Sequence, residues 1–161
     1  MATDMLPVTF RTMQTQADAD AFRTLNEAWI VKLFRLEEQD RATLGDPWQK
    51  IVAPGGQVYL AVAGDQVVGC AGLARLAEGV FELTKMAVAA ETRGQGVGRK
   101  LLTWVLQQAR PLGAHTVVLG SSTKLENAVH LYESLGFRHV PAEDLPIRYE
   151  RASVFMKLEL A

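Results

Sequence analysis

VFELTKMAVAAETRGQGVGRKLLTWVLQQARPLG, residues 80–113, decides how the rest of the chain is read. Its first ten residues (80–89) predict a strand, with Glu82, Thr84, Met86 and Val88 on one face by the two-residue repeat. From Gly96 the period changes. Leu101, Leu102, Val105, Leu106 and Ala109 fall on one face of a helix that Pro111 and Gly113 close. Between strand and helix, Gly94, Gly96 and Gly98 alternate with Gln95 and Val97 behind Arg93. Glycines there let a backbone approach a ligand closely, and the first-turn amides of a helix point outward unpaired. The helix dipole adds about half a positive charge at the same end. With Arg93, Arg99 and Lys100 beside it, the junction predicts a phosphate cradle. The same glycines would also serve a plain tight turn from strand to helix.

Working outward, VTFRT (8–12) alternates like a half-buried strand, and Thr15, Asp18 and Asp20 offer caps for a helix carrying Phe22, Leu25, Trp29, Leu33 and Leu36. Asp46-Pro47-Trp48 predicts a second short helix. Residues 57–76 read as two strands about the Gly64-Asp65 turn, with 80–89 as the third strand of the meander. Beyond the long helix, 115–122 is a buried-type strand and 125–137 an amphipathic helix with Gly136 as its C-cap. Residues 138–150 form a Pro-containing loop, and 152–160 a closing strand. The sum is an α/β fold with a mixed sheet, expected as one domain over 1–161.

Composition narrows the function classes. The chain is 48% hydrophobic and 22% charged, enough apolar material for a core. No apolar run approaches the ~18 residues of a membrane span, and the N-terminus lacks the form of a secretory signal. A cytoplasmic protein with no membrane partner is the expectation. The single cysteine, Cys70, excludes an intrachain disulfide and reads as a small core residue, and His115, His130 and His139 lack metal-ligand spacing. No metal cofactor is expected. A net charge of −1 leaves no footprint for nucleic acid. Residues 92–125 nevertheless hold five cations (Arg93, Arg99, Lys100, Arg110, Lys124) and no acid, while 1–91 carry twelve acids against eight bases and 126–161 six against four. The cationic segment predicts a bound anion, chance composition being the other reading. The acid excess elsewhere points to a cationic partner molecule.

Two nucleotide folds fit poorly. The pair after Gly98 is Arg99-Lys100 with no hydroxyl, so the P-loop pattern is absent. The glycine spacing is GxGxG, and no acid follows before Glu126, so the dinucleotide fingerprint of an oxidoreductase is incomplete.

At Arg93, Gly96 and Gly98 the chain resembles the GNAT (general control N-acetyltransferase-related) superfamily, whose signature is [Q/R]-x-x-G-x-[G/A]. A second family block, N-A-x-x-x-Y-x-x-x-G-F, is met by Asn127, Ala128, Tyr132, Gly136 and Phe137. The element order extends the resemblance from about residue 8 to 160. It implies a mostly antiparallel sheet flanked by helices, with a V-shaped split between strands 80–89 and 115–122. It implies acetyl-CoA as donor, the Met86-Ala87-Val88 backbone pairing with the pantetheine arm. The amides of Arg93, Gly94, Gln95, Gly96, Val97, Gly98 and Arg99 would hold the diphosphate, Asn127 would contact the pantetheine, and Tyr132 would stand near the thioester sulfur. A homodimer is compatible with the resemblance.

The chemistry asks for three groups. An alkyl ammonium has a pKa of about 10.4, so the acceptor needs a base. Glu82, on the strand of Met86 and Val88 and at a position where family members use a glutamate, is the candidate; a strand-edge carboxylate paired with Lys85 is the other reading. The Met86–Val88 backbone offers an amide for the developing oxyanion. Tyr132 would protonate or hydrogen-bond the departing thiolate, or else simply pack between Leu131 and Leu135. Glu37, Glu38 and Asp40 follow the first helix, where the resemblance implies acceptor-binding groups, but read equally as a solvated acidic run, the favoured reading. Trp29, Trp48 and Trp104 read as packing anchors, Trp29 or Trp48 being candidates for an acceptor pocket. The 138–150 loop, with Arg138, Arg148 and Tyr149, is placed to cover that pocket. The resulting expectation is an N-acetyltransferase acting on a primary amine of a small molecule or peptide. Its rival is a catalytically silent CoA-binding sensor or interaction module.

Overall fold

Strand β2 (Gln57–Ala63) shows how the sequence builds the molecule. Its alternate residues Tyr59 and Ala61 pack with one apolar cluster, and Val58, Leu60 and Val62 with another. A strand buried on both faces needs apolar residues throughout, which is why QVYLAVA carries no charge. The computed structural model describes residues 7–160. The other strands are β1 (Val8–Thr12), β3 (Gln66–Ala77), β4 (Val80–Val88), β5 (Thr116–Ser121), β6 (Arg138–His139) and β7 (Val154–Glu159). They form a seven-stranded sheet in the order β1-β2-β3-β4-β5-β7-β6, antiparallel throughout except between β4 and β5.

Helices cover both faces. Helix α1 (Gln16–Leu33) starts at a capping box in which the Thr15 hydroxyl accepts from the Asp18 N–H and the Asp18 carboxylate accepts from the Thr15 N–H. It buries Phe22 and Ile30 against Val58, Leu60 and Cys70. On the opposite face, α3 (Val97–Leu112) buries Leu101, Leu102, Val105 and Ala109, with α4 (Glu126–Ser134) beside it. Cys70 is fully buried, and burial pushes its thiol up to about 12, so it is a core residue without reactivity.

Two local expectations need amending. The short helix expected at Asp46-Pro47-Trp48 is present, as a π-type helix over Trp48–Val52 in which the Asp46 carboxylate accepts from the Gln49 N–H, but a further helix, α2 (Glu38–Gly45), precedes it. Residues 138–150 are also not all loop. Arg138 and His139 pair with Lys157 and Met156, covering the outer edge of β7, which would otherwise expose unpaired backbone groups. No helix among the described residues is long and apolar enough to cross a membrane.

Candidate active site

Strands β4 and β5 pair only at Val80–Thr116, Phe81–Val117 and Glu82–Val118. Beyond Glu82 the two strands part, although β4 runs on to Val88 and β5 to Ser121. The edge of β4 that faces the gap is left without a strand partner. Lys85 adds to the divergence. Its φ of 56° is the one positive value at a non-glycine residue among the described residues. It also falls where the β3–β4 register slips between Cys70 and Gly72. Such a bulge costs roughly 1–3 kcal/mol of strain and persists only where neighbours hold it. Here the Asn26 side chain of α1 donates to the Lys85 carbonyl at 2.9 Å, and Trp29 Nε1 donates to Asn26 Oδ1 at 3.1 Å. The parting strands enclose a cleft of about 730 Å³.

One end of the cleft is the start of α3. The first helical backbone bond runs from Lys100 N–H to Gly96 O at 3.1 Å, so the N–H groups of Val97, Gly98 and Arg99 have no partner among the described residues. Gly96 sits at φ 79°, a left-handed conformation that turns the chain into α3, and Val97 and Gly98 beside it line the gap. Gly98 is different. A Cβ there would meet Val88 Cγ2 at 3.6 Å, an ordinary contact. Packing therefore gives no reason for a glycine, whereas close approach of a ligand does. Met86, Ala87, Val88, Arg93, Gly94, Gly96, Val97, Gly98 and Asn127 all line the cleft. Gln95 and Arg99 do not: the Gln95 amide donates to the Glu91 carbonyl and the Arg99 guanidinium to Ser134 Oγ.

Glu82 and Tyr132 meet the same cleft from opposite sides of the split. Glu82 is half-buried and its carboxyl has no hydrogen-bond partner among the described residues. Burial pushes it up to about 7, against the pull of the Lys85 charge. The alternative of a Glu82–Lys85 ion pair is not met, because the Lys85 ammonium pairs with Asp40. Tyr132 is buried with its ring 5.9 Å from that of Phe137, and burial pushes its phenol up to about 12. Its hydroxyl also lacks a protein partner, yet no buried side-chain oxygen among the described residues is left unsatisfied, so it reaches the open space of the cleft.

The other end of the cleft holds a network that sequence reasoning missed. Asp40 is fully buried. Lys85 Nζ donates to its Oδ1 at 2.5 Å, and Arg151 donates to both of its oxygens at 2.7 Å. Burial alone would push the Asp40 carboxyl up, but the hydrogen bonds from Arg151 and Lys85, the Lys85 charge and the Glu37 N–H together hold it at about 2. Arg151 donates as well to Glu37, and Lys85 to the Tyr149 hydroxyl at 3.1 Å. The presumed solvated run Glu37-Glu38-Asp40 is thus solvated only at Glu38. The signal was available: Lys85 sits on the inward face of an apolar strand, and an inward charge requires a partner. These contacts, with the Arg35–Glu150 ion pair and the bond from Gln39 to the Arg148 carbonyl, fasten residues 148–151 onto α2. Tyr149, Arg151, Trp29 and Leu33 thereby become cleft walls. Trp48 and Trp104 lie outside the cleft, and Trp104 packs on Phe10 and Tyr59.

Comparison with known proteins agrees with this geometry. The chain is 33% identical over 106 residues to the uncharacterized N-acetyltransferase YjgM of Escherichia coli (strain K12), a match covering 61% of this chain and 64% of that relative. Its fold is similar to that of a GNAT-family acetyltransferase from Staphylococcus aureus Mu50, with a TM-score of 0.87 at 22% identity over 96% of this chain and 100% of that one. The Salmonella typhimurium protein yncA, solved with its cofactor acetyl-CoA, superposes with a TM-score of 0.72 at 22% identity over 96% and 94% of the two chains. Residues 19–137 match the family model described as the Acetyltransferase (GNAT) family. That match starts in α1 and ends just past α4, 119 of the 161 residues, and on it the chain belongs to the GNAT acetyltransferase family.

Proposed function

We propose that the protein transfers the acetyl group of acetyl-CoA to a primary amine of a small molecule or peptide, by direct attack of the amine on the thioester. One observation supports this reading: two titratable groups without partners among the described residues, Glu82 and Tyr132, line one cleft together with Val97 and Gly98, whose helix amides are unpaired. The Val97, Gly98 and Arg99 N–H groups and the Arg93 side chain would hold the diphosphate. Met86 and Val88, on the unpaired edge of β4, would receive the pantetheine as an added strand and supply an N–H to the thioester oxygen.

The proton balance follows from the two pKa shifts. Glu82, near 7, accepts a proton from the attacking nitrogen directly or through one water. Against an ammonium of about 10.4 that step is uphill by roughly 4–5 kcal/mol in water, and a desolvated, cation-lined cleft reduces the gap by lowering the ammonium pKa. Tyr132, at about 12, keeps its proton at any working pH. A thiol titrates near ~8.5, so full transfer from the phenol to the sulfur is unfavourable, and Tyr132 acts chiefly by donating a hydrogen bond as the C–S bond breaks. The ammonium gives one proton to Glu82 and attacks as the neutral amine; the nitrogen of the tetrahedral intermediate loses its second proton to solvent, the thiolate departs under a hydrogen bond from the Tyr132 hydroxyl and takes its proton from solvent, and Glu82 returns its own to solvent.

The test is thiol release from acetyl-CoA in the presence of an amine panel. Stimulation by at least one amine, with mass spectrometry showing the acetylated product, is the expected result. CoA binding with no amine-dependent release would make the protein a binding module instead.

A further inference from the structure

The acceptor end of the cleft has a charge balance opposite to that of the chain around it. Asp40 and Glu37, its nearest carboxylates besides Glu82, are consumed by Lys85 and Arg151 and offer nothing to a ligand. Glu82 is required for the proton. Glu126, the remaining carboxylate on the wall, opens α4 next to Asn127, in the stretch assigned to the donor. No carboxylate is therefore free to hold a second ammonium, and the acid excess of the chain does not reach the site.

Unused donors, by contrast, are present. Lys124 lines the cleft with its ammonium 5.1 Å from the centre of the Phe34 ring, and it has no ion-pair partner among the described residues. Arg151, which lines the cleft, commits its two terminal nitrogens to Asp40 and Glu37, whereas its Nε–H has no acceptor among the described residues and is not sealed from solvent. The Arg151 guanidinium is held between the Trp29 and Tyr149 rings, at 5.6 and 4.6 Å, so that donor is rigid. Trp29 packs edge-on against Phe34, with centroids 6.2 Å apart, which sets the two cations on either side of one aromatic pair.

We propose that the acceptor is an amine that also carries a carboxylate, of the amino-acid type, its carboxylate met by the Lys124 ammonium with the Arg151 Nε–H as second donor and its amine directed to Glu82. The inference deepens the acetyltransferase reading and rests on it. It follows from pairing: a cation without an ion-pair partner gains from an anion, and an acceptor carrying only positive charge would meet Lys124 with nothing to offset it.

The experiment uses the full chain and acetyl-CoA with a panel of L-amino acids, each beside its amide and its decarboxylated amine, and with spermidine as a carboxylate-free polycation. The best substrate is expected to carry the carboxylate, and kcat/KM should fall about tenfold or more for its amide and its decarboxylated amine, the loss of one charge-assisted bond. Lys124→Gln should collapse that ratio toward one, mainly through the acceptor KM, and Lys124→Arg should retain most of it. Lys124 is exposed, so both variants are expected to fold, which melting curves check. A carboxylate-free amine or spermidine as the equal or better substrate overturns the inference while leaving acetyl transfer in place. So does a ratio that survives Lys124→Gln. Failure of every amine overturns the acetyltransferase reading and this inference with it.

Discussion

Replacing Glu82 by Gln should raise stability and abolish turnover, and the two effects have different pH signatures. The Glu82 carboxyl sits near 7 in the folded chain against an ordinary value of 4.5, a gap of about 2.5 units caused by burial. At about 1.36 kcal/mol per unit the gap is worth up to about 3 kcal/mol, a ceiling because the carboxyl keeps contact with the cleft solvent. A raised folded value means that the folded state holds the proton more tightly. The contribution is fully present below pH 4.5, is lost as pH rises toward 7, and stays lost above it. The neutral amide of Gln is free of this loss. The variant should therefore match the parent near pH 4.5 and exceed it at pH 8, by up to about 3 kcal/mol or roughly 6–12 °C in Tm. Thermal melts of both proteins across this range read the difference directly, and effects of other carboxyls cancel in it. In the same samples acetyl transfer should fall by about 10²–10⁴, and the acidic limb of the parent rate profile, centred near 7, should vanish. A stability difference that does not grow between pH 4.5 and 8 would refute the burial argument. A variant with an unaltered acidic limb would refute the role as base.

Tyr132→Phe should lower kcat by about 10²-fold or more while leaving the affinity for CoA within a few-fold and the acidic limb in place, as stopped-assay kinetics and calorimetry on the same preparation can establish. Equal loss of CoA binding would make Tyr132 a packing residue. Asp40→Asn leaves Lys85 and Arg151 buried without their anion and should cost about 3–5 kcal/mol by urea unfolding; a cost under about 1 kcal/mol would contradict the network. Because Asp40 titrates near 2 in the folded chain, its contribution is present above pH 3.8 and lost as pH falls toward 2, so parent and variant should converge in acid.

Much of the fold was legible because its elements carry their own signals. The two-faced burial of β2 shows as an uninterrupted apolar run, the α3 stripe as a helical repeat closed by Pro111 and Gly113, and the β2–β3 hairpin as Gly64-Asp65. Helix α2 escaped notice because EQDRATLG buries only Asp40 and Leu44, so it has no apolar stripe to detect. A two-residue strand such as β6 is below what periodicity can register. The residues proposed for the donor could be named from the sequence for a similar reason: the glycines, Glu82, Asn127 and Tyr132 lie in short local patterns. Those of the acceptor half could not. Trp29, Asp40, Lys85, Lys124 and Arg151 come from α1, α2, β4 and two loops, and only the folded chain brings Trp29, Lys85, Lys124 and Arg151 to one cleft with Asp40 buried behind two of them. Gln95 and Arg99 show the converse, for they lie within the motif while their side chains bond to Glu91 and Ser134 outside the cleft.

The central claim is that open backbone groups ahead of α3 grip the donor diphosphate, and Gly98→Ala tests it most directly. The added methyl meets nothing in the protein closer than 3.6 Å, and alanine favours a helix over glycine by about 1 kcal/mol, so the melting temperature should hold or rise. Calorimetric titration with CoA should show affinity reduced by about tenfold or more, since the methyl occupies the line of approach to the amides. A variant that binds CoA as tightly as its parent, or a parent that does not bind CoA at all, would contradict the account.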